Sequence, residues 1–124
     1  MRRYAAILST SALLACAGAA TGAGTPAPPQ IPHIPGKWSH AEINVTIKRV
    51  QHTLIVDRGT VTQITTTQMT LRESGGVLVE IPLTDQTLVT VNGAKTTISS
   101  LRRRMIATTL RVDGGAAVRV RATF

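Results

Sequence analysis

The stretch QMTLRESGGVLVEIPL, residues 68–83, decides the fold. Met69 and Leu71 alternate with polar residues before Ser74-Gly75-Gly76. Val77, Val79, Ile81 and Leu83 alternate after it. A period of two is the signature of a strand. Residues opposite each other across a hairpin share a face of the sheet. A three-residue loop at Ser74-Gly75-Gly76 pairs Leu71 with Val79 and Met69 with Ile81, so apolar side chains meet. Pro82 has no amide hydrogen for a ladder, which makes its strand an edge or a bulged one.

The same test extends along the chain. Asn92-Gly93 fits a two-residue type I′ turn that aligns Val91 with Ala94, Val89 with Thr96 and Thr87 with Ile98. At Asp113-Gly114-Gly115 a three-residue loop sets Val112 against Ala116, Leu110 against Val118 and Thr108 against Val120. A two-residue Gly-Gly loop would set Leu110 against Arg119, and apolar pairing favours the former. Ile43, Val45 and Ile47 form a further alternating run, and no segment sustains a helical stripe. The expected fold is all-β, a small antiparallel meander of about five to seven strands. Its economical closure is an OB-like barrel, which hides the edges.

Residues 59–122 resemble the exported bacterial β-domain family catalogued as domain of unknown function 5666. The resemblance rests on Gly59-Thr60-Val61, Ile64, Thr70-Leu71, Thr87, Val89, Val91-Asn92-Gly93, Leu101 and Ala117-Val118, in that order. The preceding strand, residues 43–57, lies outside its clearest part. The resemblance implies a small OB-like or related β-barrel without catalytic residues. It also implies a leucine, a basic residue and a Pro-Gly turn where this chain has Leu101-Arg102-Arg103-Arg104-Met105.

The first 23 residues read as a signal peptide helix: a basic head, Met1-Arg2-Arg3, a short apolar segment and then small residues. The apolar segment is shorter than the roughly 20 residues that span a bilayer. The only cysteine lies here. Leu13-Leu14-Ala15-Cys16 resembles a bacterial lipoprotein signal, which would make Cys16 a lipidation site. A-x-A-like triplets allow cleavage after Ala17, Ala19 or Ala23 instead, and both routes stay open. Either way the chain is expected to be exported, and secreted or associated with the cell envelope. Residues 24–36 are rich in proline and glycine and read as an extended tether. Residues 37–124 read as one small domain.

The whole chain carries 14 basic and 6 acidic residues. Without Arg2 and Arg3 the balance is 12 against 6, a net charge of +6. The hairpin parity expected above places Arg111, Arg119 and Arg121 on one outward face, with Arg102, Arg103 and Arg104 in a turn beside it. Two readings stand: arginines tolerated in an exposed turn, or an anion-binding stripe of six. Partners of the second kind are an anionic envelope polymer, a lipid surface or another envelope protein. Nucleic acid is the alternative partner, but single-strand binding relies on aromatic platforms. Past the signal segment only Trp38 and Phe124 are aromatic. His33, His40 and His52 have no zinc-motif spacing, and no nucleophile elbow is present. Glu73, Asp85 and Asp113 sit in or beside turns, where carboxylates cap backbone. The expectation is a non-catalytic binding or spacer module, without catalytic residues, metal or cofactor; an enzyme of unrecognised type is the second reading.

Overall fold

The computed structural model describes residues 27–124. The signal segment and Cys16 lie outside the described residues. The strands are β1 His40–Ile47, β2 Val50–Ile64, β3 Gln68–Arg72, β4 Leu78–Pro82, β5 Leu88–Val91, β6 Ala94–Thr96, β7 Ile106–Val112 and β8 Ala117–Thr123. No α-helix occurs among the described residues; two 3-10 turns, Ser74–Gly76 and Ile98–Ser100, separate strands. The protein is all-β, as the alternation predicts.

One sheet holds all eight strands in the order β4-β3-β2-β7-β8-β5-β6, with β1 also paired to β2. The 15-residue length of β2 makes this possible. One edge takes β1 along its first half and β3 along its second, while β7 runs along the other edge. The two expected registers around Ser74-Gly75-Gly76 and Asn92-Gly93 are present: Leu71 opposes Val79, Met69 opposes Ile81, and Val91 opposes Ala94. Pro82 ends the edge strand β4.

Three expectations need correction. The sheet is not a simple meander, because β5 pairs with β8 in parallel. Nor does it close into a barrel: the order ends at β4 and β6, which do not pair. With only three residues in β6 and Pro82 in β4, the two edges offer little ladder to join. The β7–β8 register is the third. Arg111 opposes Ala117 as expected, but the register then shifts by one residue, so Leu110 opposes Arg119 and Thr108 opposes Arg121. An inserted residue of this kind turns all later side chains to the other face.

Both faces of the sheet are apolar over part of their area. The inner face packs Val61, Met69, Leu71, Ile81, Val89 and Val120 with Leu101 and Met105 from the β6–β7 connection. Ile81 comes from one edge of the sheet and Val89 from near the other, so the sheet curls around this core without closing. The outer face packs Leu54, Val56 and Leu110 beneath Ile31, Ile34 and Trp38. Residues 28–34 of the segment expected as a tether therefore lie on the sheet. Proline carbonyls are free acceptors without a ladder of their own, and Arg119 donates to those of Pro29 and Pro28 at 2.8 and 2.9 Å. The Trp38 indole donates to the Ile34 carbonyl at 3.1 Å.

Candidate functional site

The six arginines do not form one stripe. Arg111 lies on the inner face, where its guanidinium stands 3.6 Å from Asp57 Oδ2. The register shift sends Arg119 and Arg121 to the outer face. Arg119 is committed to the proline carbonyls, whereas Arg121 is exposed. Arg102 donates to the carbonyls of Ser99 and Leu101. Arg103 and Arg104 are exposed in the turn, as the sequence suggests. Arg104 has φ of 77°, its amide donates to Val61 O at 2.8 Å, and Met105 N reaches Arg102 O at 3.4 Å. That is the place of the glycine in a Pro-Gly turn, since a type II turn needs positive φ at its third residue. An L-residue there costs about 1–2 kcal/mol. Arg104→Gly should therefore raise the midpoint of urea unfolding, by about 1 kcal/mol of stability, and no gain would show that the turn is relaxed as it stands.

A different basic set lies on the outer face. Arg58 on β2 opposes Thr108 on β7, and Thr108 opposes Arg121 on β8. Arg121 opposes Thr90 on β5, and Thr90 opposes Lys95 on β6. Five strands thus carry one row, cation, hydroxyl, cation, hydroxyl, cation, in which the three cations are exposed, Thr90 is half-buried and Thr108 is buried. Adjacent strands are about 4.8 Å apart, so the cations stand about 10 Å from one another at the backbone. Among the described residues none of these three pairs with a carboxylate. At the Arg58–Arg121 end the row borders a cleft of about 220 Å³, walled on the other side by His33, Ile34 and Trp38. Arg58 and Lys95 were missed in the sequence because the row depends on a parallel pairing and a bulge.

The inner face carries a second cluster. Asp57 is fully buried, its side chain 1% exposed. His40 Nδ1 lies 2.6 Å from Asp57 Oδ1, and its Nε2 lies 3.1 Å from Glu42 Oε2. Glu73 is buried just past β3. Gly59 allows this, because a Cβ there would fall 2.4 Å from the Arg72 carbonyl oxygen. The Arg72-Glu73 backbone can cross β2 at that point and deliver the Glu73 carboxyl beside Asp57. Asp57 Oδ2, Glu73 Oε2 and Arg111 Nε are buried, and none accepts from or donates to another group in a hydrogen bond of ordinary geometry among the described residues. Burial first, and a hydrogen bond with Asp57 second, push Glu73 up to about 7. The Asp57 hydrogen bond likewise raises His40. Glu73 thus holds its proton to higher pH than an ordinary carboxyl, because its charged form is disfavoured out of water and beside another carboxyl.

His52 and Asp113 make a smaller, exposed pair at 2.6 Å, and Asp113 also accepts from Thr53 N at 2.9 Å. The Asp113 carboxylate thus bonds the β2 backbone rather than its own turn. Comparison with protein-family models, with curated proteins and with solved structures gives no match.

Proposed function

We propose that the chain is an exported, non-catalytic binding module of the bacterial cell envelope that holds an extended anionic polymer on its outer face. The row Arg58–Thr108–Arg121–Thr90–Lys95 carries this reading. Its exposed cations recur at alternate strands, which suits a chain of repeating anionic groups. Two of the six acids, Asp57 and Glu73, are buried away from that surface, which leaves the exterior more basic than the composition suggests. The resemblance to the exported β-domain family and the basic, then apolar, then small-residue pattern of residues 1–23 support export. Nucleic acid fits less well, because base stacking needs several aromatic platforms and Trp38 alone stands beside the row.

The test is retention of the full chain on immobilised polyphosphate at rising salt. Binding by a row of cations weakens with salt because counterions are released, by roughly one unit of log–log slope per neutralised charge. The double variant Arg58→Ser/Arg121→Ser should elute at lower salt and flatten the slope by about 1–2 units. Its melting temperature should hardly move, because both side chains are exposed. Unchanged retention in the double variant would overturn the reading.

A further inference from the structure

We propose that His40, Asp57 and Glu73 form a zinc site, with one imidazole nitrogen and two carboxylate oxygens as ligands and Glu42 orienting the imidazole. This site is on the opposite face from the basic row and does not depend on it. One ligand atom from each of the three residues lies within 4.8 Å of the other two. The residues come from β1, β2 and the end of β3, neighbouring strands of one sheet, so backbone ladders hold them in place. Asp57 Oδ2 and Glu73 Oε2 accept from no other residue among the described residues, so only a proton held by Glu73 can link the two carboxyls. Buried polar atoms in folded proteins are rarely left unpaired, and an ion is one explanation for such a pair.

An ion there would give both of these oxygens a partner. One nitrogen and two oxygens suit zinc, which binds such donors at about 2.0–2.2 Å. A tetrahedral ion at that distance spaces its ligand atoms about 3.3 Å apart. His40 Nδ1 stands 2.6 Å from Asp57 Oδ1, so the imidazole must swing outward from Oδ1 to take an ion together with Oδ2. It has room, because His40 is 44% exposed. Its Nε2–H would keep Glu42 as acceptor, at 3.1 Å now, in the carboxylate–histidine–metal arrangement common around bound zinc. A fourth position is left on the exposed His40 side for water.

The experiment uses the full chain carrying Cys16→Ser, so that no thiol competes. Chelator-stripped protein is titrated with Zn²⁺ by calorimetry and with Co²⁺ by visible absorption. We expect one saturable equivalent and the strong visible bands of tetrahedral Co²⁺. His40→Gln should abolish that equivalent. Glu42→Gln, an exposed change that leaves the core alone, should weaken it about 10–100-fold. His52→Gln should leave it intact. Absence of a one-equivalent transition in the Cys16→Ser chain would overturn the proposal. So would undiminished binding in both His40→Gln and Glu42→Gln, or its loss in His52→Gln.

Discussion

Truncating Leu110 to alanine should lower the stability of the domain by about 3 kcal/mol, within the span of buried leucine truncations. Leu110 has no exposed surface and lies between Val56 on β2 and Arg119 on β8, in the core that Ile31, Ile34 and Trp38 cover. Removing its side chain deletes the transfer energy of the lost carbons and leaves a cavity. Strands on both sides are fixed by their ladders, so the cavity cannot collapse fully. The covering segment rests on this surface and should loosen with it. Trp38 is the only tryptophan, so its fluorescence reports that part directly. Urea unfolding of Leu110→Ala should show the lower midpoint together with a red-shifted native emission. A cost under about 1 kcal/mol would mean that the segment does not seal this core.

Gly59→Ala should cost about 1–3 kcal/mol, the range of forced overpacking. The added Cβ would stand 2.4 Å from Arg72 O, 2.9 Å from Arg72 C and 3.2 Å from Glu73 N. These are backbone atoms, so no rotamer change relieves the overlap. The exit of β3 must lift instead. That movement carries Glu73 away from Asp57, so zinc affinity should fall along with stability. Urea melts and zinc titration of the same variant measure both effects. A variant as stable as the parent would show that the crossing over Gly59 is looser than described.

What could be read from the sequence was local. The Met69/Leu71 and Val79/Ile81 pairing follows from alternation and loop length alone, as does the Asn92-Gly93 hairpin. The β7–β8 register could not be read that way. Apolar-to-apolar matching assumes one dry face, but this sheet has cores on both, so Leu110 and Arg119 can share the outer face. The parallel pairing of β5 with β8 has no local signature. The proline-rich stretch looked like a tether because prolines dominate it, although Ile31, Ile34 and Trp38 within reach of the sheet were the counter-signal. The His40–Asp57–Glu73 cluster was hidden for a related reason. Its members follow no motif spacing, being joined by ladder register and by the crossing at Gly59. The one clue was parity: Val61, Gly59 and Asp57 share a face, and Val61 is a core residue.

The place of β8 between β7 and β5 bears on the order of events during synthesis. Among the described residues the β5–β6 hairpin has no sheet neighbour except β8. A chain made from its N-terminus therefore carries that hairpin unattached until residues 117–123 have emerged. Pairing of this non-local kind is slow to nucleate, because a loop must close before any contact rewards it. Until then Val89 and Val91 lack their partners Val120 and Ala122, and the inner core lacks one wall. The topology thus delays completion of the fold, and through that interval the nascent chain remains a substrate for whatever handles unfolded polypeptide.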